Sequence, residues 1–137
     1  MKRIFLLAAA ATLAACSTTP PQPQAVSAEG QAKLQQLLAG KVPGPPTSCI
    51  SRLRADDMVV ISDNLVLFKD GSNRVYRNDF GGGGCSGLAS GFYAMKTRSS
   101  GSSLCRGDIV EVVDTRSGML RGACTFGDFV PFTRVPA

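Results

Sequence analysis

The chain is predicted to be mainly β: a small antiparallel β-barrel or two-layer sandwich stapled by two disulfides, with one short N-terminal helix. Three observations predict this. From Cys49 onward, short β-branched and aromatic runs are broken by Asp, Asn, Gly and Ser clusters, the pattern of strands joined by tight turns. Cys49, Cys85, Cys105 and Cys124 are spread along the same stretch, as suits a domain too small to be held by its apolar core alone. Ahead of it, the residues around Leu34, Leu37 and Leu38 repeat with the period of a helix.

Residues 1–15 open with Lys2 and Arg3, run through an apolar stretch from Ile4 to Leu13 and end in small residues, the three parts of a secretory signal peptide. The apolar run has about half of the roughly 20 residues that a membrane-spanning helix needs, so it reads as a leader to be removed. Leu13-Ala14-Ala15-Cys16 resembles the lipobox of bacterial lipoproteins. The resemblance implies that the Cys16 thiol takes a diacylglyceryl group and becomes the first residue of the mature chain. Cleavage at an ordinary Ala-x-Ala site would instead leave Cys16 as a free thiol open to oxidation. In such lipoproteins an Asp after the acylated Cys marks inner-membrane retention, and Ser17 stands there, which implies a lipid anchor in the outer membrane facing the periplasm. With each buried CH2 contributing about 0.8 kcal/mol, several acyl chains on one cysteine hold effectively permanently.

Residues 16–27 read as a Pro-rich tether, because Pro20, Pro21 and Pro23 occur without a large apolar cluster; at about 3.1 Å per extended residue it reaches on the order of 30 Å. Residues 28–48 hold a short helix and a Pro-rich linker. Ser27 can cap a helix over Ala28 to Ala39 with Leu34, Leu37 and Leu38 on one face, and Gly40 is placed to end it. A helix of about twelve residues is marginal in isolation, so its leucines must dock on this domain or on a partner. Val42-Pro43-Gly44-Pro45-Pro46-Thr47 forbids its continuation, since proline removes donors and fixes its own backbone angle. The β domain then occupies residues 49–137.

Within it the strands expected are Ile50 to Arg54, Met58 to Ser62, Asn64 to Phe68, Arg74 to Arg77, Gly91 to Thr97, Asp108 to Asp114 and Met119 to Phe126. Asp70-Gly71-Ser72-Asn73 makes a hairpin turn, and Arg116-Ser117-Gly118 turns between the last two strands. Leu65, Leu67, Val75, Ile109, Val112 and Phe126 are the expected core. Closing such strands into a barrel or sandwich removes exposed edges.

Four cysteines allow three pairings. Nested pairing, Cys49 with Cys124 and Cys85 with Cys105, is expected because the first and last strands of a closed sheet must meet; sequential and crossed pairings are the alternatives. The cysteines include no C-x2-C pair and the chain has no His, so neither zinc at these thiols nor any other cofactor is expected.

The formal charge of +5 falls to +3 once Lys2 and Arg3 leave with the leader. The remaining arginines are interspersed with acids, without the basic run or aromatic interleaving of a nucleic-acid groove, so no nucleic-acid partner is expected.

The order Cys49-Ile50, Asp63 to Phe68, Val75 to Asn78, Cys85 to Leu88, Leu104 to Ile109 and Ala123 to Pro131 resembles an uncharacterised family of small proteobacterial exported proteins and lipoproteins, a domain of unknown function with four cysteines. The resemblance implies a compact envelope domain and carries over no active residues. Phe80 and the glycines after it depart from the basic or polar lead-in of that family before Cys85.

Gly81 to Gly84 is not followed by the Lys-Ser/Thr of a phosphate loop. Arg106-Gly107-Asp108 reads as a tight turn beside Cys105, with Gly107 taking positive φ and Asp108 accepting from backbone donors. For catalysis, the lack of His removes the commonest neutral-pH base. Neither a Ser with Lys69 or Lys96, nor a carboxylate pair from Asp56, Asp57 and Asp63, has a recognisable setting, so no catalytic residue is expected. The function expected is a non-catalytic binding or accessory module of the cell envelope, acting as a monomer on an envelope protein, peptidoglycan or lipopolysaccharide. The alternative is a small periplasmic inhibitor of a hydrolase such as lysozyme, disfavoured because this domain is itself basic; an enzyme of unrecognised type is the third. The binding residues expected are Gly81, Gly82, Gly83 and Gly84, with Ser99, Ser100, Ser102 and Ser103: loops that gain nothing from burial and are held at their bases by Cys85 and Cys105.

Overall fold

A computed structural model describes residues 25–54 and 57–136. The leader, Cys16 and most of the tether lie outside the described residues. Helix α1 (Ala28–Leu38) starts at Ser27, whose hydroxyl accepts the Gly30 N–H at 3.1 Å. The strands are β1 (Lys41–Pro43), β2 (Cys49–Ser51), β3 (Asp57–Ser62), β4 (Leu65–Asp70), β5 (Arg74–Asp79), β6 (Tyr93–Arg98), β7 (Ser103–Cys105), β8 (Ile109–Asp114), β9 (Leu120–Thr125) and β10 (Phe129–Arg134). They form a sheet in the order β1-β10-β5-β4-β3, a two-stranded ribbon β2-β7 and a sheet β6-β8-β9, with antiparallel pairing throughout.

The arrangement is mainly β and sandwich-like, not a closed barrel. Its centre is β4. Leu65-Val66-Leu67-Phe68 is a continuous apolar run buried on both faces, which marks a central strand covered on both sides. Leu65 and Leu67, with Ile61 and Val75, meet Val26, Leu34, Leu37 and Leu38, so the helix leucines dock on their own sheet. Val66 and Phe68 face the other way, into a core shared with Val110 and Val112 of β8, Cys124 of β9, Phe126 and Phe129. The Phe126 ring lies 5.8 Å from Phe68 and 5.5 Å from Phe129; such tilted pairs add about 0.5–1.5 kcal/mol each beyond burial.

Strands β1, β7 and β10 were not among those expected. Lys41–Pro43, assigned to the linker from its prolines, pairs with β10. Strand β10 contains Pro131, which argues against a strand inside a sheet. It is tolerated because Gly44 N–H donates to Pro131 O at 2.7 Å: the N and C=O of one strand residue point to the same edge, so the missing donor faces the place where β1 has ended, and the ladder to β5 loses nothing. Ile109 was expected in the core and is instead 46% exposed, because alternation from buried Val110 turns it to the outer face.

The disulfides join Cys49 to Cys105 and Cys85 to Cys124. This crossed arrangement corrects the nested pairing expected from sequence. Ser103–Cys105 pairs with β2, so Cys49 stands directly across from Cys105, their Cα atoms 4.0 Å apart. The loop after Phe80 bridges to β9 at Gly81 and Thr125, which brings Cys85 to the inward-facing Cys124. The first and last strands do meet, but they are β1 and β10 at one edge of an open sheet, and that pairing needs no cysteine.

Candidate functional site

The two loops expected to bind are placed by one row of the sheet. Gly81 bridges Thr125, Thr125 pairs with Ile109, and Ile109 pairs with Arg98, so the Gly-rich loop and the turn beginning at Ser99 flank opposite edges of β6-β8-β9, roughly 14 Å apart at normal strand spacing. They do not converge on one point. Much of each is also spent on structure. Gly81 N–H donates to Thr125 O at 2.9 Å, and a Cβ on Gly84 (φ +87°) would fall on Asn64 Oδ1; Gly82 and Gly83 are exposed. Ser99 Oγ accepts from Arg52, while Ser103 belongs to β7. Ser100 and Ser102 are exposed.

The acids considered for catalysis have structural partners. Asp63 accepts the N–H groups of Gly87 and Ala89, each at 2.8 Å, holding the turn after Cys85 against the β3–β4 turn. Asp57 pairs with Lys69 at 3.0 Å, and Asp56 lies outside the described residues. Asp108 accepts the Cys105 N–H at 2.9 Å while Gly107 takes φ +87°, the tight turn expected there.

An open groove of about 620 Å³ lies between α1 and the β4–β5 hairpin, lined by Leu37, Lys41, Leu53, Asp57 and Lys69 among others. Its charges are engaged internally: Lys69 with Asp57, and Lys41 Nζ donating to Leu37 O at 2.8 Å.

A different corner, where β6 begins and β8 ends, combines exposure with fixed geometry. Phe92 is 57% exposed, yet its carbonyl accepts both the N–H (3.1 Å) and the hydroxyl (2.9 Å) of Thr115. Asp114, paired with Tyr93 in the register, accepts the N–H groups of Arg116 (2.8 Å) and Ser117 (3.0 Å) on one oxygen. Its other oxygen lies 3.8 Å from Arg121 Nε. These donors, the Ser117 N–H first, hold the Asp114 carboxyl below the usual carboxylate range. The turn so fixed sets the Arg116 guanidinium 5.2 Å over the Phe92 ring, while Arg121 on β9 lies 5.9 Å over Tyr93. A cleft of about 180 Å³ lies among Phe92, Tyr93, Asp114 and Arg116. Met119 (65%) and Leu120 (59%) stand exposed at the start of β9, where the Met119 carbonyl accepts the Asp114 N–H and Leu120 pairs with Val113.

No local pattern in the sequence marks this corner as a site, and Tyr93 packs against the core. The one signal in the chain was Asp114-Thr115-Arg116-Ser117-Gly118, a turn with an acid at its start that predicts fixed backbone there but not a ring beneath its arginine.

Comparison with family models, curated proteins and solved structures finds no match for this chain. Among the described residues no helix is long and apolar enough to cross a membrane.

Proposed function

We propose that this protein is a non-catalytic binding module of the bacterial cell envelope, anchored in the outer membrane through lipid on Cys16. The observation that carries the binding role is the corner just described: an exposed aromatic ring with the Arg116 guanidinium set over it by a fixed turn, the Arg121 guanidinium of β9 over Tyr93, and Met119 and Leu120 exposed where β9 begins. A rigid sheet with exposed anchors at one end is the usual way a small scaffold binds without paying to order its site. The anchor rests on the lipobox-like Leu13-Ala14-Ala15-Cys16 and its basic, apolar lead-in.

The test is to express the chain in a Gram-negative host with a photo-crosslinking residue at position 120, and to compare it with a Cys16→Ser variant. The proposal expects the parent in the outer-membrane fraction with a crosslink to one defined envelope component. It expects Cys16→Ser to lose detergent-phase partitioning. Unchanged partitioning of the variant overturns the anchor; absence of any crosslink from position 120 overturns the binding role of this corner.

A further inference from the structure

We propose that the corner formed by Phe92, Tyr93, Arg116 and Arg121 binds an acidic sugar, its ring against Phe92 and its carboxylate or phosphate on the two guanidinium groups. This deepens the binding-module reading and rests on it.

Three features select that chemistry. The first is charge. Asp114 supplies one carboxylate, committed to the Arg116 and Ser117 N–H groups at 2.8 and 3.0 Å and lying 3.8 Å from Arg121 Nε, while the Arg116 guanidinium lies over Phe92; two guanidinium groups against one carboxylate leave a net positive corner. A guanidinium stacked on a ring has lost rotamer freedom and keeps its in-plane N–H donors, the arrangement that grips a carboxylate or phosphate.

The second feature is size. At about 180 Å³ the cleft is well below the roughly 300–1,000 Å³ of pockets that enclose drug-sized ligands. It suits a single ring lying partly in solvent, with the exposed Phe92 face as its platform.

The third is the supply of main-chain donors. In the turn, the N–H groups of Thr115, Arg116, Ser117, Gly118 and Met119 donate to Phe92 O, to Asp114 Oδ1 twice, to Asp114 O and to Ser117 Oγ respectively. A peptide seeking backbone pairing would find these donors taken. What the corner still offers is ring faces and guanidinium edges, which match a sugar carrying an anion. Both main glycans of the envelope contain such sugars, one bearing a carboxylate and the other a phosphate.

The test uses the acylated chain in detergent micelles, with the ring resonances of Phe92 and Tyr93 followed by NMR. The titrants are N-acetylmuramic acid, a glucosamine phosphate, neutral N-acetylglucosamine and inorganic phosphate. The proposal expects at least one acidic sugar to saturate these shifts below about 10 mM, with the neutral sugar and inorganic phosphate each about tenfold weaker. Which acidic sugar is tighter identifies the source. Arg116→Gln should weaken the acidic sugar about tenfold and leave the neutral one unchanged, whereas Phe92→Ala should weaken both. Both side chains are exposed, so the fold should survive, and an unchanged melting temperature checks it. No shift with any sugar overturns the proposal, as does inorganic phosphate binding as tightly as the acidic sugar. A crosslink from position 120 to an envelope protein without sugar binding would sink the sugar assignment and leave the binding-module reading standing.

Discussion

Asn78 and Gly127, far apart in the chain, exchange two hydrogen bonds: Asn78 Nδ2 donates to Gly127 O at 2.9 Å, and Gly127 N–H donates to Asn78 Oδ1 at 3.2 Å. Asn78 is fully buried. Its amide stands in for a strand, satisfying the backbone of the Phe126–Phe129 turn as that turn passes through the core. A Cβ at Gly127 would collide with Asp79 O, so only glycine lets the two backbones come this close. Replacing Asn78 with Ala strands a buried N–H and C=O and leaves a void, costing about 2–4 kcal/mol. Thermal unfolding of Asn78→Ala should therefore come about 8 °C or more lower, at about 4–8 °C per kcal/mol. A shift under a few degrees would mean that water replaces the amide.

The crossed disulfides predict a specific peptide map. Non-reducing digestion should yield Cys49 linked to Cys105 and Cys85 linked to Cys124. The spans of 56 and 39 residues give each bridge about 4 kcal/mol in the chain-entropy account. Replacing both members of a bridge by Ala should cost more at Cys85–Cys124, because that pair is buried in the core while Cys49 is exposed. Equal losses of melting temperature would count against the packing contribution.

Adjacent glycines in one loop should respond differently to the same substitution. Gly83 has φ +90° and open space around it, so Gly83→Ala meets only backbone strain of about 1–2 kcal/mol. Gly84 has φ +87° and Asn64 pressed against it, and overpacking adds about 1–3 kcal/mol to the strain. Denaturant midpoints of the two variants test the order; Gly83→Ala falling below Gly84→Ala would contradict it.

Asp114 should titrate below an ordinary Asp, because the Ser117 and Arg116 N–H groups, and less strongly Arg121, favour its charged form. A depressed folded-state pKa means that its support of the turn is fully present above the unfolded value of about 3.9 and is lost as pH falls through the folded value. The carboxyl carbon of Asp114, followed by NMR, should have a midpoint below the ordinary Asp value. Arg121→Gln should move it upward only slightly, since the backbone donors remain. A midpoint at or above the ordinary value would mean that the turn does not form as described.

Periodicity alone marked α1 and the leucine face it docks, and local alternation placed a strand over Asn64 to Phe68 with Leu65 and Leu67 inward; that Val66 and Phe68 are buried as well depends on β8 covering the other face. Asp108 and Gly107 were legible as a turn for the same reason: a short polar side chain and a glycine act on neighbouring backbone. The proline-rich stretch around Val42 and the strand holding Pro131 were not legible. Local rules penalise proline in a sheet, and what excuses Pro131 is Gly44, which tertiary structure places beside it.

The sequence by itself determined the fold class, the helix and its apolar face, most strand positions and the requirement for two bridges, because these follow from side-chain period, turn chemistry and the small core of a short domain. Only the tertiary structure decided which cysteines meet, since pairing depends on β7 leaving the β6-β8-β9 sheet to join β2, a choice between distant partners that no local pattern encodes. It alone brought Arg116 over Phe92 and Arg121 over Tyr93. Those rings and guanidinium groups lie on separate strands and a turn, and become neighbours only once the register between β6, β8 and β9 is set.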